Sequence, residues 1–349
     1  MPRLRVLVAE DSPTARRLLV ILLSADPELE VVGEARNGAE AIEQCKKLRP
    51  DLVTMDIKMP VMDGVEATRR IMIESATPVV MVSSLDPNDV RSSMRALEAG
   101  ALAVLAKPAG PGTPRFVRDS RELVATIKAM AQVKLVRRWP LIPPYRAASA
   151  RPDALAAREI LVVGLVSSTG GPNALRSLLS ALPADFAPPI MIVQHIAAGF
   201  AQGLAEWLTT TTKRTVTLAS DGERFVNGGV YVAPDDRHLE VSRDRLHVTA
   251  SPPVEGFRPS GTRLFSSLAA VFGPAAIGVI MTGMGHDGVA GLLEMRDAGS
   301  AVLAQDEASC DIFGMPGAAV IAGAVTATTP LSEIPTRLVE LVAKEGSAL

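Results

Sequence analysis

The sequence predicts an α/β protein of two doubly wound domains. A flavodoxin-like domain comes first, and a linker joins it to a second doubly wound α/β domain with a small β-insert. Three observations carry this. Short apolar runs alternate with segments of helical spacing through residues 1–134, the pattern of parallel strands covered by helices. The same alternation resumes at Glu159 and runs through residues 159–349. Between them, residues 135–158 (LVRRWPLIPPYRAASARPDALAAR) break the pattern with Pro140, Pro143, Pro144 and Pro152, and read as the linker. At 349 residues the chain is long for one core and fits two domains of roughly 150 residues each.

In the first domain the strand-like runs are LRVLVA, LEVVGEA, DLVTMD, PVVMVSS and ALAVLAK. Helical segments follow them, beginning near Ser12, Gly38, Asp63, Pro87 and Arg115. Five such units make a doubly wound sheet. In the second domain EILVVGLV, PPIMIVQH, AAIGVIMTG and AVLAQ read as strands, each leading through a loop into a helix. GGVYVAPDDRHLEVSRDRLHVTAS reads as short strands joined by polar turns, the β-insert.

Composition excludes several classes of function. Lys plus Arg is 36 against 38 Asp plus Glu, with no basic stripe on a recognition helix, so no nucleic-acid partner is expected. Cys45 and Cys310 are too few for a disulfide framework, which points to a reducing, cytoplasmic setting. No apolar run reaches the ~18 residues of a membrane span, and no signal-peptide core opens the chain, so no membrane insertion is expected. Aromatic residues are 3%, leaving the core to aliphatic side chains and Met.

Ligands of open parallel sheets bind beyond the carboxyl ends of the strands. In the first domain Glu10 and Asp11 follow the first strand, Asp56 ends the third, Ser83 the fourth, and Lys107 the fifth. Three carboxylates converging on one edge repel one another, and a hard cation such as Mg²⁺ relieves that repulsion. A carboxylate beside Mg²⁺ and a lysine can accept a phosphoryl group. Helix capping accounts for Asp11 or Asp63 singly but not for the whole set.

In the second domain VSSTGGP joins a buried strand to a helix. It either cradles a phosphate or exposes a reactive serine. The stretch lacks G-x-G-x-x-G and a following lysine, which disfavours the phosphate cradle. A reactive serine needs a base and an orienting acid. Ser167 or Ser168, His195, and His286 or Asp287 all fall at carboxyl ends of separate strands and can meet at one sheet edge. A Ser–His–Asp relay is the economical reading. No Gly-x-Ser-x-Gly elbow is present, so an ordinary α/β-hydrolase is not indicated. Cys310 is a rival nucleophile with no flanking histidine, in a segment that reads as a buried helix.

Residues 1–134 resemble the receiver domain of two-component response regulators. The pieces that carry this are ED at 10–11, DLVTMDIKMPVMDG at 51–64, VVMVSS at 79–84 and KP at 107–108. The resemblance implies that Asp56 is the phosphoacceptor. It further implies that Glu10, Asp11, Asp56 and the Lys58 carbonyl hold Mg²⁺, and that Ser83 and Lys107 contact the phosphoryl group. Many receivers carry Tyr or Phe three residues before the lysine, where this chain has Val104.

Residues 159–349 resemble the catalytic domain of the chemotaxis protein-glutamate methylesterases, the CheB family. The match lies in SSTGGPNAL, QHIAAGF, DGERFVNGGVYVAPDDRHLEVS, FRPSGTRLFSSLA, GVIMTGMGHDGVAGLLEMRDAG and AQDEASCDIFGMPGAAV. A receiver linked to this domain is also that family's arrangement. The resemblance implies Ser168 as nucleophile, His195 as base, Asp287 as orienting acid and the Met284 amide as oxyanion donor. The implied reaction is hydrolysis of glutamate γ-methyl esters on cytoplasmic helices of chemoreceptors, with deamidation of particular glutamines. It is activated when a sensor histidine kinase phosphorylates Asp56 and relieves occlusion of the Ser168 site. The implied cofactors are Mg²⁺ for the receiver and none for the esterase chemistry, and the expected state is a monomer. Two departures stand out: Val166 replaces a usual Gly two residues before the nucleophile, and His286 replaces a common Asn. The rival reading is a non-enzymatic response regulator that binds receptor or kinase as a scaffold.

Overall fold

The computed structural model describes residues 3–84, 87–132 and 161–343. They fall into two compact units. The predicted linker, 135–158, lies outside the described residues.

The first unit holds β1 (Leu4–Ala9), α1 (Pro13–Ser24), β2 (Leu29–Ala35), α2 (Gly38–Leu48) and β3 (Leu52–Met55), followed by α3 (Gly64–Glu74), β4 (Val79–Ser83), α4 (Pro87–Glu98), β5 (Ala103–Ala106) and α5 (Phe116–Ala131). Its parallel sheet has the order β2-β1-β3-β4-β5. The central strands are apolar along nearly their whole length because helices cover both faces. The predicted helix starts follow from capping chemistry. Ser12, Asn37 and Asp63 accept from the Ala15, Glu40 and Glu66 amides at 3.4, 2.9 and 2.8 Å. Val104 is buried in β5 opposite Met81.

The second unit runs β6 (Val162–Ser167), α6 (Gly171–Ala181), β7 (Ile190–Gln194), α7 (Ala201–Thr212), β8 (Val216–Leu218), β9 (Val230–Val232), β10 (His238–Val241) and β11 (Leu246–Thr249). It continues with α8 (Gly261–Phe272), β12 (Ala276–Ile280), α9 (Val289–Asp297), β13 (Ala301–Gln305), α10 (Met315–Ile321), β14 (Ala327–Thr329) and α11 (Ile334–Ala343). The parallel sheet has the order β14-β13-β12-β6-β7-β9-β8. The chain starts at β6, builds outward through β7, and then returns to build on the other side from β12. The β12/β6 boundary is therefore the switch point, where loops diverge and leave a crevice.

The β-insert is smaller than the sequence pattern implies. Val230–Val232 pairs in parallel with β7 and is buried in the main sheet, and only β10 and β11 form a separate antiparallel hairpin. Two edge strands, β8 and β14, were not legible. Each has three residues, too few for a period-2 signal to stand out.

Val166 lies in regular strand, paired with Val193 and Ile280, and takes no glycine-only backbone angle. Its side chain occupies the space above Gly261, where a Cβ would lie 2.5 Å from Val166 Cγ1.

Gly64 opens α3 against the backbone of Asp56, and a Cβ there would overlap the Asp56 carbonyl oxygen. Gly64→Ala should destabilise the first unit by roughly 1–3 kcal/mol, as overpacking against backbone does. Thermal unfolding checks it.

Candidate active site

The carboxyl ends of β12, β6 and β7 lie side by side at the switch point. Of the two candidate serines, Ser167 is fully buried and donates to Gln194 Oε1 at 2.6 Å. Gln194 in turn donates from Nε2 to the Ser168 and His195 carbonyls, both at 2.7 Å. Ser167 is thereby committed to fixing the loop. Ser168 is partly exposed, its amide donates to Thr282 O at 3.0 Å, and its hydroxyl has no partner among the described residues. Glycines make this close packing possible. A Cβ on Gly171 would overlap Gln194 Oε1, and one on Gly283 would sit 2.7 Å from Ser168 Cβ. Gly170 turns the chain into α6 at φ +77°.

His195 leaves β7 with its amide on Ser167 O at 2.9 Å. Its Nε2 lies 2.8 Å from Asp287 Oδ2. A carboxylate can only accept, so in the neutral ring the proton is on Nε2 and Nδ1 is a bare acceptor. Nδ1 is buried and has no hydrogen-bond partner. Phe257 stacks on the imidazole with centroids 4.4 Å apart and planes at 17°.

Asp287 is fully buried and collects donors from the start of α8. Ser260 Oγ donates to Oδ1 at 2.7 Å, the Gly261 amide to Oδ2 at 2.6 Å, and the Thr262 amide to Oδ1 at 3.2 Å. The carboxylate caps that helix from another segment of the chain. Burial pushes its pKa up, but the hydrogen bond and charge of His195, then Ser260 and Gly261, outweigh this. They hold the carboxyl below its ordinary value of 3.8. The magnitudes explain the sign. Each hydrogen bond to a charged group contributes about 1.5–3 kcal/mol, whereas a helix terminus alone adds roughly 0.3–2 kcal/mol.

Thr282 closes the crevice on the β12 side. Its Oγ1 donates to Thr169 O at 2.9 Å and accepts from the Ile312 amide at 3.0 Å. The Met284 amide beyond it makes no hydrogen bond among the described residues, and the Met284 side chain is exposed.

In the first unit, Glu10 and Asp56 are buried and Asp11 is exposed, and one carboxylate oxygen from each lies within 4.8 Å of the others. Lys107 Nζ lies 2.8 Å from Glu10 Oε2 and 3.1 Å from Asp56 Oδ1. Its amide donates to Ser83 O at 2.8 Å, tying the β4 and β5 ends together. Burial raises the pKa of Asp56, and Lys107 only partly reverses it. Burial likewise raises Glu10, with the Asp56 charge adding to the rise. Three carboxylates crowded at one edge and offset by a single lysine fit a hard divalent cation such as Mg²⁺.

The model of the CheB methylesterase family matches residues 163–338, half of the chain, and that of the response regulator receiver domain matches residues 6–113. A protein-glutamate methylesterase/protein-glutamine glutaminase of Myxococcus xanthus is 55% identical over 338 residues, covering 96% of both chains. One from Anaeromyxobacter dehalogenans is 54% identical over 340 residues, covering 96% of this chain and 98% of the relative. The crystal structure of the Thermotoga maritima CheB methylesterase catalytic domain superposes with a TM-score of 0.51 at 36% identity, over 52% of this chain and 98% of that one. The chain belongs to the CheB methylesterase family.

Two residues sit differently from what the sequence alone suggested. Of the pair His286 or Asp287, it is Asp287 that bonds His195, and His286 turns elsewhere. It is exposed and pairs with Glu255 at 3.2 Å, because the turn into α9 sends successive side chains to opposite sides. Cys310 is not in a buried helix. It follows a short 3₁₀ turn, Glu307–Ser309, and is partly exposed. Asp306 caps the start of that turn, Cys310 closes it, and α10 begins only at Met315. Gln194, Ser260 and Phe257 carry the site's geometry and were missed. Only the Ser-Gly-Thr helix start gave a signal, a capping serine. No helix among the described residues is long and apolar enough to cross a membrane.

A carboxyl whose pKa falls on folding stabilises the fold above its ordinary value, and that contribution disappears as pH falls through the folded value. Asp287→Asn should therefore lower stability at pH 7 by roughly 1–3 kcal/mol. The gap to the native protein should narrow below pH 3.8. Thermal melts across a pH series measure it.

Proposed function

We propose that this chain is a phosphorylation-activated hydrolase of glutamate γ-methyl esters on chemoreceptor helices, with deamidation of receptor glutamines as a second activity of the same site. A receiver domain at 1–134 controls a catalytic domain at 159–349. The observation that carries the reading is the orientation of His195. Its Nε2 is held on Asp287 and its Nδ1 is left bare, at the switch point where Ser168 is the one serine of the pair with a free hydroxyl.

The chemistry follows from that orientation. Ser168 Oγ attacks the ester carbonyl as His195 Nδ1 takes its proton. Asp287, kept ionised by its donors, stabilises the imidazolium. The Met284 N–H faces the developing oxyanion. Methanol leaves with the proton from Nδ1, or ammonia leaves when the substrate is a glutamine. Water then attacks the acyl-enzyme with Nδ1 again as base, releasing the glutamate carboxylate. The relay is inverted relative to the chymotrypsin template, in which the acid binds Nδ1 and the serine faces Nε2. An intact set of Ser168, His195 and Asp287 favours an enzyme over a scaffold.

In the receiver, Asp56 accepts the phosphoryl group from a sensor histidine kinase, with Lys107 and Ser83 contacting its oxygens. Glu10, Asp11, Asp56 and the Lys58 carbonyl would hold Mg²⁺. Bound there, Mg²⁺ supplies charge neutralisation for phosphoryl transfer.

Methanol release from membranes carrying a methylated chemoreceptor tests the reading. Ser168→Ala should abolish it. Ser167→Ala should keep most of the rate and lose about 1–3 kcal/mol of stability, since it orphans one buried acceptor on Gln194. The reverse outcome would move the nucleophile to Ser167. Asp56→Asn should keep the basal rate and lose stimulation by a phosphodonor with Mg²⁺, and retained stimulation would remove Asp56 from the switch.

A further inference from the structure

His238 opens β10 fully buried and has no part in the chemistry proposed above. Its ring nitrogens face two backbone groups whose roles are fixed. The Ser260 amide, 3.3 Å from Nδ1, can only donate, and the Pro252 carbonyl, 3.1 Å from Nε2, can only accept. The ring is therefore the tautomer with its proton on Nε2.

What this imidazole fixes is the residue on which Asp287 depends. Ser260 is the N-cap of α8, and its hydroxyl, with the next two amides, supplies three of the hydrogen bonds that Asp287 accepts. The neighbouring segment is held separately. Arg258 pairs with Asp236 at 2.8 Å and donates to the Ala250 and Ser251 carbonyls, both at 3.1 Å. A line of contacts thus runs from the hairpin ring to the Ser260 backbone, to the Asp287 carboxylate, to His195 Nε2. Core packing alone does not account for the imidazole. An aliphatic side chain would fill the space without burying two polar nitrogens, and it would leave the Ser260 amide unpaired.

Resting on the reaction assigned above, we propose that His238 is a positioning residue for the hydrolytic site. It sets the Ser260–Thr262 donors that hold Asp287 and, through Asp287, the orientation of the His195 imidazole. The β10–β11 hairpin then serves as the support of the relay's acid.

The test is kcat and KM for methanol release from membranes carrying a methylated chemoreceptor. It uses the full chain as His238→Ala, His238→Asn, Ser260→Ala and the double variant His238→Ala/Ser260→Ala, with Ser168→Ala and Asp287→Ala as controls. His238→Ala should lower kcat about tenfold or more, as losing a buried hydrogen bond in such a line does, with KM within about twofold. Asn presents Oδ1 near the place of Nδ1 and can accept the Ser260 amide, so His238→Asn should recover kcat to within about threefold. Ser260→Ala should lower kcat alone, and the double variant should fall no further than the worse single variant, because both act through Asp287. Should His238→Ala fail to fold, Ser260→Ala and His238→Asn still decide. A role in packing alone would leave Ser260→Ala at the native kcat and make His238→Asn no better than His238→Ala per folded molecule, and that result overturns the proposal. If Ser168→Ala and Asp287→Ala lose the rate while His238→Ala keeps it, the positioning role alone falls. If Ser168→Ala keeps its rate, the reading of the reaction falls.

Discussion

The buried carboxylate of Asp287 is the constraint on which the second unit's site depends. An ionised carboxylate taken out of water costs several kcal/mol unless donors surround it. Here the donors come from the start of α8 and from His195, elements far apart in sequence. Satisfying one charge therefore brings the β7 loop, the turn into α9 and the N-terminus of α8 to a single point. The loops that follow β6 and β12 are then locked around that point by neutral groups, Gln194 and Thr282.

The first unit solves a different electrostatic problem at the corresponding edge of its sheet. Its three acids have one lysine among them, and burial pushes Glu10 and Asp56 up where Asp287 is pulled down. Crowding leaves that edge short of positive charge, which suits a cation and a phosphoryl group. Saturation of the acid leaves the other edge with a buried, unpaired nitrogen, His195 Nδ1, among the described residues.

Much of this was legible in the sequence because parallel sheets write themselves plainly. Runs such as VVGLV and VVMV are buried on both faces, and Ser, Asn and Asp mark helix starts by chemistry local to one turn. Strand-end placement then brought Ser167 or Ser168, His195, and His286 or Asp287 to one edge, and the resemblance to the CheB family chose Ser168 and Asp287 among them. The residues that hold them were less visible. Ser167 and Ser168 are chemically alike in sequence, and only the Gln194 contact separates the committed hydroxyl from the free one. The stacking of Phe257 and the support from His238 join positions 62 and 22 residues from their targets, which no periodicity encodes. Three-residue edge strands carry too little pattern to be read, and an alternating tract such as GGVYVAP does not reveal which sheet it will join.

Val166 and Gly261 share one small volume beside the Asp287 carboxylate, and only one of them can carry a side chain there. The two positions are 95 residues apart in the chain, yet they are bound to one another as tightly as a knob and its hole. Valine at 166 is therefore matched to glycine at 261: the strand supplies the volume that the helix start gives up, and the charge of Asp287 lies beside both.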